Sequence, residues 1–339
     1  MSAISSELSA ERPPGGDVAE PGQPAGSGPY RLAWRRLRRN RVSLFFGVVF
    51  LLIVVLCLLA PVYANDVAHM GPNAGSPTTQ ITIGGKTEFV TNSVGVPIGP
   101  TWNFAKYFLG ADSQGRNEAV RLLYGGRSSL EIGFVAMLIT MAFGTVLGLL
   151  AGFYRGVTDG LISRVSDVIW SFPVVLLGIT LATVINIQGL GPLHSTTLMT
   201  TAVVIGFVYI PYVVRPVRAQ VLGLREREFV DAARQQGLSG PRIMFSELLP
   251  NLSSTIVVFV PLILANAILL EAGLSYLGAG VQPPNASWGT MLEQGLQLFP
   301  GGFSTVLVPG IMLVLTVMSV NIFGDGLRDA LDPRAKAAS

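Results

Sequence analysis

The chain has 339 residues, half of them hydrophobic and only 13% charged, with a mean hydropathy of +0.54 and a formal net charge of +3. A soluble domain carries about 25% charge, so this composition excludes an ordinary water-soluble enzyme and requires a membrane as solvent. The single cysteine, Cys57, and two histidines, His69 and His194, exclude an internal disulfide and a Cys/His metal cluster; both histidines read as solvated loop residues.

Residues 1–30 are rich in Pro, Gly, Ser, Glu and Ala, show no apolar period, and read as a disordered segment. Arg31, Arg35, Arg36, Arg38, Arg39 and Arg41 follow, and then an apolar run from Val42 to Val62. Val62-Tyr63-Ala64 resembles a signal-peptide cleavage site. The run is nevertheless about the 20 residues a spanning helix needs, so 31–64 reads as a first transmembrane helix with a basic anchor. Residues 65–126 are too polar to span. Within them Thr79–Val90 alternates around Gly84-Gly85, which predicts a small hairpin. Trp102, Phe104, Tyr107 and Phe108 suit a membrane–water boundary.

Five further apolar segments follow, at 129–154, 166–187, 196–214, 252–273 and 303–324, the third interrupted by Gly206 and Pro211. Pro173, Pro261 and Pro309 also fall within segments, which is tolerated where neighbouring helices satisfy the freed carbonyls. The pattern predicts an all-α integral membrane protein of six transmembrane helices. Its parts are the extracytoplasmic loop 65–126, a five-helix core 127–325 and a tail 326–339. With the N-terminus inside, 18 of the 23 Lys and Arg lie on the cytoplasmic side and only Lys86, Lys106, Arg116, Arg121 and Arg127 outside. This asymmetry sets both termini in the cytoplasm. It also accounts for the pI of about 9.2 without nucleic acid as a partner.

The loop 215–250 is the most informative stretch. Glu226 to Gln236 contains no helix breaker, and Gly237 can end a helix in a left-handed conformation. Ser239 and Pro241 suit the start of a second short helix, which Pro250 is expected to end. Phe229, Val230 and Ala233 are neighbours at helical spacing. The small Ala232 and Ala233 let a helix sink into a groove on another protein. A DNA-binding helix–turn–helix has a similar Ala-Ala and Gly pattern, and a solvated loop is the plain alternative. Tethering at both ends to membrane spans favours a docking element for a cytoplasmic partner.

Asp231-Ala232-Ala233, Gly237, Ile243 and Leu249-Pro250 together resemble the EAA loop of ABC importer permeases, with Asp231 where Glu is usual. Leu109 to Arg116 (LGADSQGR) resembles the segment before the second span of C-type permeases of dipeptide, oligopeptide and nickel importers, with Asn117 where Asp is usual. Glu271 to Gly278, Val281 to Pro284, Ser287-Trp288-Gly289 and Asp325 to Arg334 are similar to the same family. The resemblance covers about residues 30–335. It implies a MetI-like fold and a machine of two different permeases, two ABC ATPase domains and an extracytoplasmic binding protein. It also implies that Phe229, Val230, Asp231, Ala232, Ala233 and Gly237 form a coupling helix seated on the ATPase. The chain has no G-x-x-x-x-G-K-[ST] phosphate loop. The expectation is therefore no cofactor in this chain and no catalytic residue, with ATP and Mg bound by partner subunits.

Polar residues within spans are candidates for the translocation path: Asn266, Glu271 and Asn321. Glu131 and Glu271 have two readings, either pairing with arginines such as Arg127 or with interfacial water, or meeting a peptide's amino group. Ser171 and Ser319 read as helix-packing groups. Bends at Pro173, Pro211, Pro261 or Pro309 would permit alternating access. Import of nickel or another small substrate remains open. So does a secondary transporter, for which inverted repeats and proton-relay carboxylates are not evident.

Overall fold

A computed structural model describes residues 34–83, 85–188, 197–299 and 301–331. The readings of residues 1–30, of His194 and of the last residues of the tail lie outside these. Helix α1 (Arg41–Leu58) starts at Asn40, whose side chain accepts from the Ser43 amide at 3.1 Å. Strands β1 (Gln80–Ile83) and β2 (Lys86–Phe89) pair antiparallel, with Gln80 opposite Phe89, as the alternation predicts. Ile81 packs with Val90, Tyr107 and Ala111 into a small core of their own.

Helix α2 (Glu118–Tyr154) is 37 residues long and begins well before the apolar segment read from sequence. Asn117 caps it, its side chain accepting from the Ala119 and Val120 amides at 3.0 and 3.3 Å. The apolar segment 166–187 is not one helix. α3 (Gly156–Ser171) and α4 (Val174–Gln188) meet at a 94° bend. The cause is Pro173, which drives Phe172 out of helical conformation to φ −91°, ψ 141°. Among the described residues five helices are thus long and apolar enough to cross a membrane, or six when this bent pair is taken as one span.

Helix α5 (Thr197–Leu224) runs unbroken past Gly206, Pro211 and Pro216, ten residues beyond the predicted end of its segment. Gly206 is not a breaker here. Its carbonyl accepts from Thr140 Oγ1 at 2.8 Å, and an added Cβ would stand 2.8 Å from Ile139 Cβ. The short helix α6 (Glu228–Gln235) follows, and then α7 (Gly240–Tyr276). Pro250 does not end a helix before the span, contrary to the expectation. A π turn at Met244–Leu248 widens the backbone just ahead of it, and the helix continues into the membrane segment.

α8 (Trp288–Leu296) and α9 (Phe303–Leu331) complete the bundle. Ser287 and Thr290 form a capping box at the start of α8. Trp288 is fully buried, and its indole N–H donates to the Leu122 carbonyl at 3.1 Å. α1 begins beside the end of α9, where Gly326 meets Ser43, and ends where Cys57 meets Gly126 of α2.

The closest helix pairing is α2 on α5. Gly144, Gly148 and Gly152 face Val213, Val217 and Val221. An added Cβ on these glycines would lie 2.6, 2.7 and 2.6 Å from the respective valine Cβ atoms. Two matched four-residue repeats therefore bring the backbones together. Gly148→Val should destabilise the fold by about 2 kcal/mol through overpacking. Gly160→Val, where nothing lies within 4 Å, should stay within about 0.5 kcal/mol. Thermal unfolding in a mild detergent, read on both variants, checks the contrast.

Candidate functional site

The elbow between α5 and α7 is built from α6 and two tight turns. Gly237 takes φ +78°, and the Gly237 and Leu238 amides donate to the Arg234 and Ala233 carbonyls at 2.9 and 3.1 Å. This is the left-handed stop read from sequence. Ser239 then starts α7 from an extended conformation, with Pro241 in its first turn.

α6 has two faces. Val230 and Ala233 are buried, with Phe229 and Leu238 half-buried beside them, against Phe153, Val221, Ile243, Met244 and Leu248. Hence Phe229, Val230 and Ala233 grip this chain's own helix ends, and Ala233 is not available to another protein. The opposite face carries Glu228, Asp231, Ala232 and Gln235, all exposed, and Asp231 pairs with Arg234 at 3.0 Å. Phe245, on the first turns of α7, is 55% exposed nearby.

Charges tie the elbow's roots to the corner between α2 and α3. Arg155 pairs with Glu226 at 2.5 Å, and that hydrogen bond holds the Glu226 carboxyl below its usual range. Arg218 makes a two-pronged contact with Asp159 at 2.5 and 2.6 Å. Arg225 donates to the Phe153 carbonyl, near the last turn of α2. Arg215 pairs with Asp167 at 2.7 Å and sits 4.3 Å from the centre of the Trp170 ring.

The three residues proposed for a path are not gathered into one cluster. Asn266 on α7 is half-buried, and its Nδ2 donates to the Leu262 carbonyl of its own helix at 2.8 Å. Asn321 is half-buried on α9. Glu271 has no exposed surface; its Oε1 accepts from Ser275 Oγ at 2.6 Å, while Oε2 has no hydrogen-bond partner. Among the described residues it pairs with no arginine, and it is closed off from solvent.

Sequence reading missed a buried charge cluster at the hairpin end of α2. Asp112 accepts from Arg116 Nε at 2.6 Å and lies 3.4 Å from Arg121 Nε. Gln294 Oε1 on α8 accepts from Arg116 at 3.0 Å and from Arg121 at 3.3 Å. Arg121 also donates to the Pro72 carbonyl and to Asn73 Oδ1, both at 3.3 Å. Counting Arg116 and Arg121 as loop charges hid this role; the available signal was their place in and just after the 109–116 motif. The cluster fastens the polar 65–117 region to α2 and α8.

Residues 144–337 match the family described as binding-protein-dependent transport system inner membrane component. The chain belongs to this family. Residues 28–75 match a second family, the N-terminal TM domain of oligopeptide transport permease C. The permease is 36% identical to a dipeptide transport system permease protein of Alkalihalophilus pseudofirmus, over 91% of each chain. It is 34% identical to a di/tripeptide transport system permease of Pseudomonas aeruginosa, covering 92% of this chain and 94% of that one. It is also 34% identical to a glutathione transport system permease of Pectobacterium atrosepticum, covering 91% and 92%. A chain of the MetNI methionine ABC transporter, in inward facing conformations, shares the fold at a TM-score of 0.50 and 18% identity, covering 62% of this chain and 96% of that one. The protein is thus a multi-pass membrane permease of the ABC importer class, whose machines include ATPase and binding-protein components.

Asp112→Asn would remove the carboxylate ion-paired with two buried guanidinium groups, Arg116 and Arg121. Such a loss costs about 3–5 kcal/mol, so the unfolding midpoint in detergent should fall sharply. Asp231→Asn breaks only an exposed pair and should leave the midpoint nearly unchanged.

Proposed function

We propose that this permease forms one half of the membrane path of an ATP-driven importer for di- or oligopeptides. It pairs with a second, homologous permease and receives substrate from an extracytoplasmic binding protein. The names of the relatives support the peptide class. Both termini lie on the cytoplasmic side with the elbow. The biased distribution of Lys and Arg supports this, as does the position of the end of α9 beside the start of α1.

The elbow is the coupling element, and its two-faced packing carries the reading. Glu228, Asp231, Ala232 and Gln235 face outward, where an ATPase cleft would meet them. Val230 and Ala233 are buried in the same apolar cluster as Phe153 and Val221, at the ends of α2 and α5. A push on the outer face therefore reaches the spanning helices through the apolar cluster they share with α6. Gly237 gives the turn its fixed shape. ATP and Mg are held by the partner ATPases; this chain performs no chemistry and binds no cofactor. Switching the path from 1:99 to 99:1 requires about 5.5 kcal/mol of differential binding, which the partners' ATP cycle supplies. The 94° break at Pro173 separates α3, ion-paired near the elbow, from the span half α4, and offers a hinge between them.

The test is co-purification. Asp231→Lys with Ala232→Trp changes only the outward face, so the unfolding midpoint should stay at the wild-type value. The variant should lose the ATPase, keep the second permease, and take up labelled dipeptide at least tenfold more slowly in proteoliposomes. An ATPase retained by this variant, with uptake intact, would overturn the coupling role.

A further inference from the structure

One groove stands apart from the elbow and from the buried charge cluster. It has a volume of about 560 Å³ and runs between α1, α2 and α7. Its walls are apolar: Phe50 and Val54 from α1, Phe134 and Met137 from α2, Val260 and Leu264 from α7. Volumes of this size and lining are typical of small-ligand sites.

Two charges interrupt the apolar wall. Arg127 and Glu131 both line the groove, both are exposed, and they lie one turn apart on the same face of α2. Opposite charges at this spacing ordinarily pair. Here neither makes an ion pair or a side-chain hydrogen bond among the described residues. The fold thus presents a cation and an anion side by side on an apolar surface and leaves both without a partner.

Spacing identifies what would complete them. Residues four apart on a helix have Cβ atoms about 6 Å apart, and two extended peptide residues span about 7 Å. A dipeptide zwitterion carries an ammonium and a carboxylate at that separation, with side chains that suit the apolar walls. A lipid acyl chain has no use for the charges, and a longer extended peptide cannot place both termini on the pair.

We propose that this groove binds a dipeptide by its two ends, Glu131 receiving the α-ammonium and Arg127 the α-carboxylate. This rests on the reading of the chain as a peptide importer subunit. It names a dipeptide as the length the groove accepts, takes the second of the two readings for Glu131, and adds Arg127 as the partner that completes it.

The whole importer, with both permeases, ATPases and binding protein, is reconstituted in proteoliposomes. The probe is radiolabelled alanyl-p-benzoylphenylalanine, a dipeptide whose benzophenone inserts into nearby C–H bonds under light. Expected are adducts on segments containing Phe134 or Val260. Arg127→Gln and Glu131→Gln should each lower adduct yield and ATP-driven uptake about tenfold, with complex assembly and unfolding midpoint at wild-type values. The exchange Arg127→Glu with Glu131→Arg should recover most of the uptake. Adducts confined to other parts of the bundle would overturn the site, as would single variants that transport normally. A midpoint that falls in step with uptake would make the pair structural and overturn it too. Should the wild-type importer move no peptide, the peptide reading itself fails; if it moves the dipeptide and Glu131→Gln moves it equally well, only the groove fails.

Discussion

Backbone proximity between α2 and α5 is the constraint on which the rest of this bundle depends. Within a membrane, lipid is as apolar as any side chain, so helices gain little from apolar burial alone. They associate through close packing, and the three glycines facing three valines let α2 and α5 approach to that distance. Thr140 adds a hydrogen bond across the same seam. This pair gives α7 a surface to pack on, and the seam's last turns, at Phe153 and Val221, provide the floor on which the elbow rests.

That floor explains how a helix of only eight residues keeps a defined shape. An isolated segment of this length would not hold a helix in water. α6 is held by its buried Val230 and Ala233, by the left-handed turn at Gly237, and by the salt links at its roots. The polar outer face contributes little to this stability and is therefore free to be shaped for a partner. The same division of labour appears at the other end of α2. There charged groups are buried, and Asp112, Arg116, Arg121 and Gln294 do by hydrogen bonding what the elbow does by apolar contact.

Much of this was legible in the amino-acid order. The apolar runs mark every spanning segment, the alternation around Gly84-Gly85 marks the hairpin, and Gly237 with Ser239 marks the elbow's turn. What was not legible depended on neighbours. Pro173 breaks its helix, whereas Pro211, Pro216 and Pro250 do not. At Pro250 a π turn just ahead keeps the helix continuous, which no local pattern reveals. Ala233 looks like a free small residue until Val221 and Phe153 are set beside it. Glu271 looks like a residue for a path or an interface, yet its surroundings enclose it completely. The four-residue glycine repeat from Gly144 to Gly152 was readable as a packing motif, and it identifies the central seam better than hydropathy does.

The length of α2 has a mechanical consequence. Its 37 residues contain no proline and extend about 55 Å at 1.5 Å per residue, nearly twice the hydrocarbon thickness of about 30 Å. It is therefore a strut that projects beyond the bilayer core, fastened at one end to the hairpin region and at the other to the elbow. A strut pivoting near its middle moves its ends in opposite directions; a tilt of about 5° displaces each by about 2.4 Å. Events at the two faces of the membrane are then not separate signals needing a relay. They are two readings of the inclination of one rigid rod.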